Sequence, residues 1–313
     1  MLKDLHLLPK LRDSVSQLYV EHARVDRHES AIAVWDATGQ TPVPVAALAV
    51  LMLGPGTDIT QAAIRVLAEN NCLVIWCGEE NVRFYASGMG GTRSSTALLH
   101  QAWLASDDRR RLGVVRRMYQ ARFDEVLDPG LSLEQVRGFE GMRVRAAYAR
   151  LAAEHGIEWI GRAFDRTAWG AADPPNRALS VANSCLYGIC HAAILSVGLS
   201  PAIGFVHTGK QLSFVYDIAD LYKVELTVPL AFQTVAAGAA NLEREVRVRC
   251  RDAFRERRLL TRIVPDLFAV LGTDERGSAG WPEVDEDAAA PVDWWGAPDV
   301  ELGQADVGVG EEA

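Results

Sequence analysis

Three side chains able to hold a divalent cation fall within one short stretch, GFVHTGKQLSFVYDIAD (residues 204–220): His207, Asp217 and Asp220. The two aspartates stand three apart, a spacing that puts both carboxylates on one face of a helix. His207 precedes them at a turn flanked by Gly204 and Gly209. Carboxylate oxygens favour hard cations such as Mg²⁺ or Mn²⁺, and one imidazole shifts the preference toward Mn²⁺. A fourth group, Glu140, lies in RGFEGMRVRAAYARL between Gly138 and Gly141. Glycine inside a helix costs about 1 kcal/mol relative to alanine, so two of them beside a carboxylate call for a reason. Close approach of a ligand or another backbone is one reason, and tight helix–helix packing is the other. Glu140, His207 and Asp220 from separate segments would make a minimal divalent-metal site for phosphodiester chemistry, in which the ion polarises a phosphoryl oxygen and activates the attacking oxygen. Polar groups satisfied at a helix start are the alternative, and residue type and spacing leave both open.

The elements that must position these groups change character along the chain. Up to about residue 90 the pattern is β-rich. Strands are expected over 30–35, 41–45, 48–53, 73–76 and 82–85, with a short helix capped by Thr57 and running to about residue 69. The glycine-rich GMGGTRSS (88–95) fits neither phosphate-loop pattern and reads as a linker. Helical spacing follows, over 97–105, 109–123, 132–155, 177–197 and 217–223, with a long arginine-rich segment over 242–271. Ser132 with Gln135 forms a capping box, and Gly156 supplies the stop. The expected class is α+β: a small β-sandwich-like domain over 1–90, a larger all-α domain over 91–272, and an acidic, disordered tail over 273–313.

Charge supports a nucleic-acid partner only once it is divided. Of the net −9, residues 274–313 carry −11, so the remaining body carries +2. Arginines cluster there at 109–111 and 116–117, then from Arg244 to Arg262. Localised basic stripes can hold a phosphate backbone, although interspersed acids also fit solvated helix faces. The start of the chain lacks the apolar stretch of a signal peptide, and no run approaches a membrane span. Five cysteines without a CxxC pair read as free thiols in a reducing compartment, so a cytoplasmic protein is expected.

Beyond these elements, whole segments resemble a known family. GPGT (54–57), VRFYASG (82–88), VVRRMYQARF (114–123), RGFEGMRVRAAYARLA (137–152), SCLYG (184–188) and nearly all of 204–220 are similar to the CRISPR-associated integrase, the first Cas protein, in its subtype I-E branch. The resemblance implies a homodimeric, cytoplasmic enzyme that inserts protospacer DNA into a CRISPR array. The reaction implied is attack of a 3′-hydroxyl on a repeat phosphodiester, with endonuclease activity associated. It further implies Glu140, His207 and Asp220 as ligands of Mg²⁺ or Mn²⁺, and Asp217 as a supporting catalytic acid. The partners implied are duplex DNA with splayed ends and a small second CRISPR-associated protein, joined in a heterohexamer. Residues matching DNA-holding positions are Arg65, Arg83, Arg162, Lys210, Arg244, Arg247 and Arg251, with Tyr187 and Trp169 as nearby aromatics. Two positions depart from the family's pattern. His22 stands where a fork-wedging tyrosine is expected, and Asp58 where a base is expected after GPGT. A branched-DNA nuclease in repair and a non-catalytic DNA-binding scaffold are the competing functions. Trp281, Trp294 and Trp295 in the tail suit docking on a partner, or mimicry of DNA against the basic stripes, as well as plain solubilisation.

Overall fold

Strand β5 (Val50–Leu53), VLML, is buried along its whole length, and its alternation joins the two halves of the protein. Leu51 and Leu53 face a core made with other strands, whereas Val50 and Met52 face a core made with helices. Successive strand residues point to opposite faces, so one strand can wall two cores. Strand β7 (Leu73–Cys77) repeats the device, sending Val74 one way and Leu73, Ile75 and Cys77 the other.

The computed structural model of the chain describes residues 17–273, apart from 30, 46–47, 49, 71, 79–82, 89–94, 124–126, 129 and 163–171. Trp169 and the tail from residue 274, with its three tryptophans, lie outside the described residues. The first sheet has the order β1-β5-β7-β8, with β1 at Gln17–Val20 and β8 at Phe84–Gly88. The second has the order β4-β3-β2-β6, from β2 (Arg24–His28), β3 (Ala31–Asp36), β4 (Gly39–Val43) and β6 (Asp58–Ile59). Two four-stranded sheets packed with helix α1 (Gln61–Glu69) make the expected sandwich-like unit. In the first sheet β1, β5 and β7 run parallel and only β8 is antiparallel. The cap of α1 is Thr60 rather than Thr57: its hydroxyl accepts the Ala63 N–H at 3.2 Å.

The helical part contains α2 (Thr96–Ala105), α3 (Asp108–Gln120), α4 (Leu133–Glu154), α5 (Pro174–Ser196), α6 (Ser213–Asp220), α7 (Val228–Ala236), α8 (Leu242–Glu256) and α9 (Leu259–Leu271). The Ser132–Gln135 capping box forms as expected. Helix α5 is capped by Asp173, starts on Pro174, and is buried over most of its length, against α6, α7, α8 and α9. It is long and apolar enough to cross a membrane, but it serves here as the core helix of the fold. All five cysteines are buried, and none is joined in a disulfide.

Two further expectations are corrected. The segment over 242–271 is not one helix: Arg258 takes a left-handed φ of 46°, ending α8 and letting α9 turn its own Leu259 and Leu260 inward. The helix carrying the two aspartates begins at Ser213, earlier than 217, because Phe214 and Val215 are already buried. Beyond Asp220 the backbone passes through a π-helical turn, Lys223–Thr227, before α7. Such turns are rare and recur at functional sites.

Candidate active site

Asp217 organises the loop that carries His207. Its side chain is buried on α6, and its two oxygens collect three consecutive backbone amides. Oδ2 accepts the N–H of Phe205 at 2.6 Å and of Val206 at 3.1 Å; Oδ1 accepts the N–H of His207 at 2.8 Å. Successive amides converging on one anion form a strong, oriented cradle. The same Oδ1 lies 2.7 Å from His207 Nδ1. Gly204 makes the tight loop possible, since a Cβ there would sit 2.2 Å from the His207 carbonyl oxygen. The hydrogen bond to Asp217 raises the His207 pKa above the usual histidine value, with Asp220 adding in the same direction. With Nδ1 engaged, Nε2 is the ring nitrogen left for a ligand, an arrangement typical of metal-binding histidines.

Glu140 from α4, His207 from the loop and Asp220 from the end of α6 line one cavity of about 500 Å³. Its other walls include Arg122, Arg137, Arg145, Tyr148 and Lys223. Each carboxylate has a cation: Arg122 Nη1 pairs with Glu140 Oε1, and Lys223 Nζ with Asp220 Oδ1. Burial by itself pushes the Asp220 carboxyl up, but Lys223 and Arg122 outweigh it and hold the group below the usual carboxylate value. The Lys223 ammonium is likewise disfavoured by burial and rescued by Asp220, ending above the ordinary lysine value. Lys223 also sits 5.1 Å from the centre of the Tyr187 ring, and Tyr187 meets Tyr216 edge-on at 5.0 Å. Tyr216 in turn contacts the His207 ring at 5.8 Å.

Two carboxylates and an imidazole with a carboxylate behind it have the donor chemistry of a Mg²⁺ or Mn²⁺ site. Among the described residues, no three His, Cys, Asp or Glu side chains are gathered closely enough to share one ion. The carboxylates face Arg122 and Lys223 instead. Asp217 does not line the cavity; its oxygens are committed to the loop.

Beside Gly138 there is open space, with nothing within 4 Å of a Cβ placed there, so helix packing within the described residues does not explain it. The resemblance-derived DNA residues spread over separate elements. Arg65 is on α1, paired with Glu69 at 2.7 Å. Arg83 is exposed, and its carbonyl accepts the Gly78 N–H at 2.8 Å. Arg162 bonds the start of α5, at Asn176 Oδ1 and Ser180 Oγ, both 2.8 Å. Lys210 is exposed on the loop after His207, while Arg244, Arg247 and Arg251 lie on α8. Arg251 lines a second groove, between β1 and α8–α9. His22 is exposed in a left-handed turn, its N–H donating to the Pro55 carbonyl at 2.9 Å. The departure at Asp58 is nearby, its N–H bonded to Ala23 O at 2.9 Å. Sequence reasoning missed Arg122, Tyr148 and Lys223. Only Lys223 carried a local signal, a cation three residues after Asp220.

The model of the family described as CRISPR associated protein Cas1 matches residues 18–128 and 124–251, which include every side chain of the cavity. The chain belongs to the Cas1 family. The protein named CRISPR-associated endonuclease Cas1 2 of Thermus thermophilus is 54% identical over 296 residues, spanning 94% of this chain and 90% of that protein. The CRISPR-associated endonuclease Cas1 of Escherichia coli K12 is 45% identical over 283 residues, spanning 90% and 93%. The crystal structure of a TtCas1–DNA complex matches with a TM-score of 0.78 at 56% identity, over 84% of this chain and 99% of that one. The β-rich first part and larger helical second part of this Cas1 chain are thus those of its relatives.

Proposed function

We propose that this Cas1 chain is a metal-dependent DNA endonuclease and integrase that joins the 3′-hydroxyl of protospacer DNA to a repeat phosphodiester in a CRISPR array. The observation that carries the reading is that Glu140, His207 and Asp220 line one cavity walled by arginines. The endonuclease names of its relatives and the DNA held by TtCas1 support the substrate class. Glu140, Asp220 and Nε2 of His207 are the groups that would hold Mg²⁺ or Mn²⁺. Bound there, the ion would supply charge neutralisation at the scissile phosphate and ease deprotonation of the attacking hydroxyl.

The chain's own residues do the rest. Asp217 fixes the loop and the ring orientation of His207. Arg137 and Arg145, on the exposed side of α4, are placed to position a phosphate backbone without reading sequence. Arg65, Arg83, Arg162, Lys210 and the α8 arginines extend the same function to more distant duplex. Tyr187, held by Tyr216 and Lys223, presents an aromatic body beside the site. The wider assignment follows the family resemblance: the subtype I-E branch, a homodimer, a heterohexamer with a small second CRISPR-associated protein, and work in the cytoplasm on DNA with splayed ends.

A non-catalytic DNA-binding scaffold is the second reading, favoured by the ion pairs that occupy both carboxylates. Glu140→Ala and Asp220→Ala separate the two. Strand transfer of a protospacer-like duplex into a repeat-containing plasmid is expected to vanish in both variants while DNA affinity stays nearly constant. Strand transfer surviving both substitutions would overturn the metal-site assignment, and its absence already in the unaltered chain, with DNA still bound, would leave the scaffold reading standing. Products that are cut but never covalently joined, with the small partner present, would identify a branched-DNA nuclease.

A further inference from the structure

Arg122 and Lys223 are the two cations that the metal reading does not use, and each holds one of its carboxylates. All four side chains of the Arg122–Glu140 and Lys223–Asp220 pairs are more than four-fifths buried. Both cations line the same cavity as His207. Two carboxylates taken out of water require opposite charge, and leaving either one bare would be strongly unfavourable. Two monovalent cations supply the same charge as one divalent ion, so exchanging one set for the other keeps the cavity's balance.

The Arg122 pair is also incompletely satisfied. Its Nε is buried with no hydrogen-bond partner, whereas a guanidinium in a finished structural pair commonly engages its fork on both oxygens. An unmet buried donor is a standing cost and asks for an explanation. Lys223 begins the π-helical turn after α6, and its ammonium pairs with Asp220 three residues earlier.

We propose that Arg122 and Lys223 are displaceable counter-ions: they hold Glu140 and Asp220 until a divalent cation takes the carboxylates, and entry of that cation expels both. They are positioning residues, and the inference rests on the reading of Glu140, His207 and Asp220 as metal donors. It accounts for donors of the right chemistry that line one cavity without converging on a common point. A site whose carboxylates are released about a tenth of the time binds its ion about tenfold more weakly than a permanently released one.

The test is a Mn²⁺ titration of the full chain, read by the electron paramagnetic resonance signal of free Mn²⁺, with thermal melts alongside. Arg122→Gln and Lys223→Gln are each expected to bind Mn²⁺ about tenfold more tightly than the wild type, and Lys223→Arg, which keeps the cation, to stay within about twofold. Without Mn²⁺ both Gln variants should melt below the wild type, and Mn²⁺ should restore them. Purely structural ion pairs would give the opposite, unchanged or weaker Mn²⁺ binding. That result, together with binding by the wild type that Glu140→Ala abolishes, overturns the proposal and leaves the metal site intact. Wild-type binding that Glu140→Ala and Asp220→Ala do not alter overturns the metal site and the proposal together. Should Arg122→Gln fail to fold, Lys223→Gln carries the test alone, because it releases the other carboxylate.

Discussion

His207 and Asp217 are joined twice through one oxygen: Oδ1 of Asp217 accepts the His207 backbone N–H at 2.8 Å and faces its ring Nδ1 at 2.7 Å. One carboxylate therefore fixes both where the histidine stands and which way its ring points. Its other oxygen holds the two preceding amides. Asp217→Ala would strand three amides, of which only that of Phe205 is fully buried. At about 1–3 kcal/mol for a buried unmet donor and less for the two half-buried ones, the expected cost is about 2–5 kcal/mol of stability. Asp217→Asn, which keeps one acceptor oxygen, should fall between this and the wild type. Denaturant unfolding measures both, and a wild-type midpoint for Asp217→Ala would show that the amides find other partners.

That role was not legible in the sequence, because the groups Asp217 satisfies are main-chain amides, which no side-chain pattern reveals. Glu140, His207 and Asp220 could be singled out by type, spacing and the glycines around Glu140. Lys223 was visible as a neighbour of Asp220 but read as ordinary helix. Arg122 gave no signal, since it reaches Glu140 across the connection between α3 and α4. Strand β2 was hidden for a different reason. Of RVDRH only Val25 is fully buried, so the strand is held by pairing with β3 and β6 rather than by an apolar face. Conversely α4 was legible through its capping box, which acts locally, whereas α5 begins at Pro174 on an Asp173 cap, three residues before the expected start at 177.

His191 on α5 gives the stability a pH dependence. It stacks on Phe84 with ring centres 3.7 Å apart, and burial pushes its pKa down to about 4. Below the unfolded value of about 6.5 the unfolded chain takes a proton that the folded chain declines. Stability attributable to this histidine is complete above about pH 6.5 and is lost as pH falls toward 4. Allowing for partial exposure, the loss should be about 1–2 kcal/mol. His191→Phe, which keeps the stack, should flatten the unfolding profile in that window; an unchanged slope would assign it to other groups.

Gly138 offers a test of why glycine flanks Glu140. A methyl group there meets nothing within 4 Å. Gly138→Ala should therefore raise stability by about 0.5–1 kcal/mol, the ordinary gain of alanine over glycine inside a helix. If the open face admits a DNA strand, strand transfer should fall in the same variant although its melting temperature rises. A stabilised variant with full strand transfer would remove close approach of DNA as the reason for the glycine.

The acidic tail should act on DNA through charge. Residues 274–313 carry −11 against +2 for the rest of the chain, so ending the chain at Thr273 reverses the sign of the whole molecule. The arginines of α8 would then attract a phosphate backbone without a competing negative field. Truncation is expected to tighten DNA binding several-fold at about 0.05 M salt. Most of the difference should be lost by about 0.5 M, where the screening length shrinks to a few ångströms. A titration across that range, with full-length and truncated chains side by side, measures the effect. Equal affinities at every salt concentration would show that the tail's acids keep away from the arginine face. A difference that persisted at high salt would instead point to the tail's tryptophans, whose contacts salt does not screen.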